Sequence, residues 1–179
     1  MFFLPGWLIA LVTFPGVVVH EMAHRFFCDV TDTPVYDVAY FRPMGNPAGY
    51  VLHGKPSSLR ASLLISAGPL LVNSVLCSFL TLTVAYKVFV LHTGLHDPVL
   101  LFLGWLGYSI GMHAFPSRQD ARVFTTEVKA AHGGGPTLML ARVASGLISL
   151  ANSLRVVWFD AIYAFGVSML VPAALGAFS

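Results

Sequence analysis

Two histidines and a glutamate near the start of the chain have the residue types and spacing of a zinc site. The segment His20-Glu21-Met22-Ala23-His24 matches the HExxH pattern. On a helix, an i, i+4 spacing puts both imidazoles on one face, where they can share a metal ion. Catalytic zinc sites use three protein ligands and keep a water in the fourth position. The pattern therefore predicts Zn²⁺ held by His20 and His24, with Glu21 taking a proton from that water during amide hydrolysis.

The composition is typical of a membrane protein. Hydrophobic residues make up 56% of the chain and charged residues 10%, and the mean hydropathy is +0.76, whereas about a quarter of the residues of a soluble domain are charged. The formal net charge of +2 is too small to indicate nucleic-acid binding. Cys28 and Cys77 match no metal-thiolate spacing and predict no disulfide framework.

A His, Glu and His trio within an apolar helix is costly to bury, which favours a functional over a purely structural role.

Long apolar stretches divide the chain into spans of one membrane-embedded domain covering residues 1–179. A transmembrane helix needs about 20 apolar residues, and the expected first three spans are residues 2–19, 61–86 and 98–115. The region 137–178 forms either one tilted span or two. Its apolar sequence is interrupted by Arg142, Asn152, Arg155 and Asp160.

The connection between the first two spans has a different pattern. β-Branched and aromatic residues flank a Pro, Gly and Asn cluster at residues 43–47, which predicts a β-hairpin over residues 35–51. The alternative is a polar connector without regular structure. The predicted fold is an all-α polytopic membrane protein, with about four to five transmembrane helices and a small β-hairpin between the first two.

Basic residues predict the orientation in the bilayer, because short cytoplasmic loops are enriched in Lys and Arg. With these spans only Lys87 lies near one side, and the other side has Arg25, Arg42, Lys55, Arg60, Arg118, Arg122 and Lys129. The basic side is expected to be cytoplasmic. The protein is then integral and multi-pass, with the end of the first span that bears His20 and His24 toward the cytoplasm.

Three segments, in order, resemble the site-2 protease family of intramembrane zinc metalloproteases. Residues 15–24 read Pro-Gly-Val-Val-Val-His-Glu-Met-Ala-His, and residues 66–73 read Ser-Ala-Gly-Pro-Leu-Leu-Val-Asn, similar to the family's Ala-Gly-Pro helix with its following Asn. Residues 115–120 read Phe-Pro-Ser-Arg-Gln-Asp. In the family a Pro-rich turn leads to a zinc-binding Asp, usually within Leu-Asp-Gly. The resemblance implies that Asp120 is the third zinc ligand, although here the tripeptide is Gln119-Asp120-Ala121.

Other interpretations of these residues stay open. Ser117 and Asp120 also fit a helix start, with Ser117 as N-cap and Asp120 in the first turn, where the helix dipole favours negative charge. His113, near the cytoplasmic end of the third span, and His53, in the hairpin, are rival candidates for the third ligand. A carboxylate is favoured by the resemblance.

The resemblance also implies supporting roles for His113 and Asn73. The family commonly has an oxyanion-stabilising Asn shortly before its zinc-binding Asp, and this chain has Met112 and His113 there. His113 is the candidate substitute, because an imidazole N–H can donate to an oxyanion; alternatively, it is a helix-end histidine that reaches water. Asn73 is expected to hydrogen-bond across helices, next to small residues that let backbones approach.

The resemblance implies a membrane-spanning protein substrate that is locally unwound before cleavage. The hairpin edge could hold an extended substrate by strand addition. The rival class is a non-proteolytic membrane protein that binds zinc or acts as a scaffold, and Glu21 favours the enzyme because a mere zinc-binding site needs no adjacent base. A homo-oligomer is compatible with the sequence, which gives no sign of one.

Overall fold

The computed structural model of the chain describes residues 5–92, 96–174 and 176, and most of them are helical. The helices in this part of the chain are α1 (Gly6–Val12), α2 (Phe14–Val30), α3 (Leu59–Ala85), α4 (Pro98–Met112), α5 (Arg118–Ala130), α6 (Pro136–Leu154) and α7 (Phe159–Ala174). Strand β1 (Val35–Ala39) pairs antiparallel with β2 (Tyr50–His53). The predicted helical fold with a β-hairpin between α2 and α3 is confirmed.

Two described helices are long and apolar enough to cross a membrane. They are the helix over Leu59–Val88, which contains α3, and α6; a third span results if α1 and α2 are counted together. Helix α4 and the Phe159–Leu170 part of α7 are also apolar but shorter. The expected multi-pass character is therefore supported for two or three helices by length and composition.

The first predicted span is not one continuous helix. Residues 2–4 of that span lie outside the described residues, and the rest divides at Thr13 into α1 and α2, which are bent by 88°. Pro15 lies in the first turn of α2. Proline has no N–H to donate and clashes with the preceding turn inside a helix, but it fits a helix start. The HExxH motif consequently lies in the middle of a separate helix that continues to Val30.

The C-terminal apolar region forms two helices rather than one tilted helix. Helix α6 ends at Leu154, a 3₁₀ turn covers Arg155–Val157, and Trp158 has a left-handed backbone with φ of 60° before α7 begins. A left-handed residue reverses the local path of the chain and prevents the helix from continuing. Residues 175, 177 and 178 of the predicted region lie outside the described residues.

The hairpin is short and lies against α2, the helix that bears the HExxH motif. Its register pairs Val35 with His53 and Ala39 with Tyr50, with an irregularity near β1's start. The Tyr50 hydroxyl donates a hydrogen bond of 2.6 Å to Asp37. Both strands contact α2, so the hairpin is part of the site's surroundings.

Close approach of three helices positions the motif. Helix α3 packs against α2, α4 and α7, and α2 also contacts α4. A β-carbon placed on Gly16 of α2 would lie 2.0 Å from the Ser109 carbonyl oxygen of α4, and one on Gly68 of α3 would lie 2.1 Å from the Phe27 ring. Any larger residue at either position would push the helices apart. These glycines therefore permit the contacts that bring α3 and α4 to the motif.

Helix α5 is amphipathic and is held by a separate apolar cluster. Its buried residues Ala121, Phe124 and Val128 pack with Leu138 and Ile148 of α6. The Glu127 carboxylate accepts a hydrogen bond from Ser62 of α3. These contacts hold the first turn of α5, with Asp120, close to α2.

Candidate metal centre

Three side chains converge from two helices that are distant in sequence. His20 and His24 lie one turn apart on α2 and are 6% and 4% exposed, and Asp120 lies in the first turn of α5. One ligand atom from each residue lies within 4.8 Å of those of the other two. Within the described residues, this is the one group of three or more His, Cys, Asp or Glu side chains close enough to share a metal ion.

The spacing fits the donor set of a zinc site. Two nitrogen or oxygen ligands about 2.0–2.1 Å from a tetrahedral ion lie roughly 3.3 Å apart. The His20 and His24 Nε2 atoms are 3.1 Å apart, and His24 Nε2 lies 3.5 Å from Asp120 Oδ2. Two histidines and one carboxylate are also a recurrent ligand set of catalytic zinc. The residues present therefore fit the predicted ion.

The orientation of His20 leaves its Nε2 atom free for a metal. His20 Nδ1 lies 2.6 Å from the carbonyl oxygen of His113, to which it donates. With the proton on Nδ1, Nε2 of the neutral ring has a lone pair directed at the cluster. Asn73, which is fully buried, donates to the same carbonyl at 3.0 Å and to the Ile110 carbonyl at 3.1 Å. Asn73 of α3 thus holds the backbone group that orients His20.

The position of Asp120 is compatible with both roles that the sequence leaves open, helix cap and metal ligand. Its Oδ2 atom accepts hydrogen bonds from the Ser117 N–H at 3.0 Å and the Ser117 hydroxyl at 2.5 Å, and the Ser117 hydroxyl accepts from the Asp120 N–H. This reciprocal pair is a capping box. Burial alone would raise the pKa of Asp120, but the neighbouring His24 and the Ser117 hydrogen bond lower that pKa below its usual range. The carboxylate form, which metals bind, is favoured.

Glu21 lies on the wall of a cavity of about 530 Å³, together with His20 and His113. Among the described residues, none forms a hydrogen bond with its carboxylate, although Glu21 is only 8% exposed. The backbone at Gly49, at the end of the hairpin loop, lies against the Glu21 side chain. A buried carboxylate that has no partner among these residues and faces a cavity beside the candidate metal ligands is available as a base.

The rival ligands lie outside the cluster. His113 Nε2 is 2.8 Å from the Thr13 hydroxyl, which donates to the Ile9 carbonyl at 2.7 Å. His113 is therefore the donor to Thr13, and a neutral ring has no second N–H for an oxyanion. The oxyanion role of His113 stays a prediction that requires a charged ring or release from Thr13. His53 Nδ1 lies 2.7 Å from the Gly54 carbonyl oxygen.

Sequence reasoning missed an ion pair in the cavity wall. Arg155 Nε lies 2.9 Å from Asp160 Oδ2, and a second Arg155 nitrogen donates to the Phe115 carbonyl at 3.3 Å. Both charged residues line the cavity that contains Glu21. The sequence does contain a signal for this pair, because ionisable residues in an apolar region are costly to bury and tend to be functional. From the sequence alone, both residues are interpreted only as interruptions of an apolar span.

No protein-family model matches the chain, and searches of curated proteins and of solved structures returned no significant match. Inference about function consequently rests on the metal centre and the cavity beside it.

Proposed function

We propose that the protein is an intramembrane zinc metalloprotease that hydrolyses a peptide bond in or near a transmembrane segment of a substrate protein. His20, His24 and Asp120 hold the ion, and Glu21 is the general base. One observation carries this proposal: three ligand atoms from α2 and α5 lie within 4.8 Å of one another, beside a carboxylate that faces a cavity.

Each residue of the site has a separate task in this reaction. The His113 carbonyl and Asn73 keep the His20 ring in the tautomer that binds metal. The capping box keeps the Asp120 carboxylate directed at His24. When bound, zinc would acidify a water molecule and polarise the scissile carbonyl. Glu21 accepts the proton of the attacking water and delivers it to the leaving nitrogen, since it has no competing hydrogen bond among the described residues.

Exposed apolar surface supports the membrane location. Large side chains on the outer face of α6 and α7 are more than half exposed, a pattern that soluble monomers rarely show over a contiguous area. Examples are Leu140, Leu147, Ile162, Phe165 and Leu170. The proposed multi-pass arrangement counts the α1–α2 pair, α3, α4, and one or both of α6 and α7, which gives four to five spans.

The cavity is the proposed binding place for an unwound substrate segment. A volume of about 530 Å³ is in the usual range for ligand pockets and holds only a few residues. The hairpin is close to Glu21 and offers unpaired backbone groups to an extended peptide. A membrane-spanning protein is thus the proposed partner. A non-proteolytic zinc-binding protein is the second candidate, but it would have no use for Glu21, whose carboxylate has no hydrogen-bond partner in the described part of the chain.

Metal removal tests the proposed function. A chelator should abolish cleavage of a transmembrane peptide by the purified protein in liposomes, and added Zn²⁺ should restore it. Mg²⁺ and Ca²⁺ should not, because imidazole ligands favour zinc over these ions. The measurement is product formation by mass spectrometry, alongside zinc content. Full cleavage by protein shown to contain no zinc would contradict the proposal.

The proposed orientation has its own test. A cysteine at Ser57, an exposed position after the hairpin, should react with an impermeant thiol reagent only from the cytoplasmic side of sealed vesicles. A cysteine at Lys87 is the matched control and should react only from the other side. Background should be low because Cys28 and Cys77 are fully buried. Labelling of the Ser57 variant from outside would contradict the proposed orientation.

A further inference from the structure

A polar groove of about 620 Å³ runs between α5 and α6, on the outer surface of the molecule. The α5 side contributes Arg118, Arg122 and Lys129, whose spacing of i, i+4 and i+11 aligns them along one face of the helix. The α6 side contributes the uncharged polar residues Ser149, Asn152 and Ser153. Among the described residues that line it, none is acidic.

The positive charge of this groove is not neutralised by the acidic residues of its own helix. Helix α5 contains two carboxylates, and each is engaged elsewhere. Asp120 is bound to Ser117 and lies near His24, and Glu127 accepts a hydrogen bond from Ser62 on the α3 side of the helix. Arg122 and Lys129 are exposed. The groove consequently attracts anions.

An apolar stripe borders the groove along α6. Val143, Leu147, Leu150 and Leu154 follow an i, i+4, i+7 and i+11 spacing and are each at least 36% exposed. Ser149 and Ser153 of the groove lie on the adjoining face of the same helix. A ligand that suits both surfaces has an anionic head beside an apolar chain. A nucleic acid has no apolar chain, and a peptide made of acidic residues alone has none either.

We propose that the groove binds the phosphate headgroup of an anionic phospholipid, with an acyl chain along the apolar stripe of α6. The inference rests on the proposed membrane location, but it requires neither zinc nor Glu21, so it stands or falls independently of proteolysis. The basic residues of the groove, Arg118, Arg122 and Lys129, are among those expected to face the cytoplasm, where anionic lipids attract basic residues.

The test measures binding of short-chain phosphatidylglycerol to the purified full chain in neutral detergent, by calorimetry and native mass spectrometry. The double variant Arg122→Gln/Lys129→Gln removes two groove charges and leaves Arg118, which also lines the metal-site cavity, unchanged. The double variant Lys55→Gln/Arg60→Gln removes two charges elsewhere. Arg122→Lys keeps the charge and checks that its loss, rather than a folding defect, is responsible.

Wild type should bind one phosphatidylglycerol saturably and bind phosphatidylcholine at least tenfold more weakly. The groove double variant should lose roughly 25-fold in affinity, at about fivefold per cation. The affinities of the control double variant and of Arg122→Lys for phosphatidylglycerol should stay within about twofold of the wild-type affinity. An unchanged affinity in the groove variant, or equal losses in both double variants, would overturn the site. Displacement of the lipid by polyglutamate, by RNA, or by inorganic phosphate at equal concentration would overturn the proposed occupant.

Discussion

Glu21→Gln is expected to lower the cleavage rate by about 10²–10⁴-fold, the usual contribution of a general base, while zinc remains bound. Glutamine has nearly the same size, so packing around a side chain that is 8% exposed should be preserved. The substitution removes the only proton acceptor of the proposed mechanism and none of its three ligands. Cleavage of a transmembrane peptide and zinc content, measured on the same preparation, test this expectation.

The chain offers a matched control for this substitution. Glu127 is its other glutamate, and the oxygen of a glutamine there can still accept the Ser62 hydrogen bond. Glu127→Gln should therefore cleave at close to the wild-type rate. If Glu21→Gln retained full activity, the proposed base would be wrong; if it lost zinc, Glu21 would be a ligand or would shape the site.

Local sequence patterns predicted most of the helices, since these depend on neighbours in the chain. The apolar stretch 61–86 became α3, and turn residues between two short β-like segments became the hairpin. The predicted first span is divided into two helices because Pro15, which has no N–H to donate, starts a new helix. The break between α6 and α7 at Trp158 has no comparable proline to predict it from the sequence. A left-handed tryptophan is rare, and local preferences do not predict it.

The candidate site was predictable only as far as its geometry is local. The helical repeat alone brings His20 and His24 together. The contact of Asp120 with His24 depends on how α5 packs, and it was anticipated only through resemblance. The contribution of the His113 carbonyl could not be seen in the sequence, because every residue has a carbonyl group. Its importance arises from the distance of 2.6 Å to His20, which α2 and α4 set by their close approach at Gly16.

Asp120→Asn is expected to weaken zinc binding by more than about 100-fold, because even residues behind the ligands contribute about 10- to 100-fold. Cleavage should fall in proportion to zinc occupancy. The amide oxygen of asparagine can still accept from the Ser117 N–H and hydroxyl, so the capping box is largely kept. The free energy of unfolding should therefore change by about 1 kcal/mol or less. The two functions of one carboxylate are thereby separated.

Ser117→Ala makes the opposite change, because it removes the cap and leaves the Asp120 carboxylate in place. It should cost about 1 kcal/mol of stability and weaken zinc binding less than Asp120→Asn does. Asp97→Asn is the control for the substitution itself, since Asp97 accepts from the Val99 N–H at the start of α4, remote from the metal centre in sequence. Zinc stoichiometry and thermal unfolding should be measured for all three variants. Full zinc occupancy with wild-type cleavage in Asp120→Asn would exclude Asp120 as a ligand, and His113→Ala, measured in the same way, should then lose the metal.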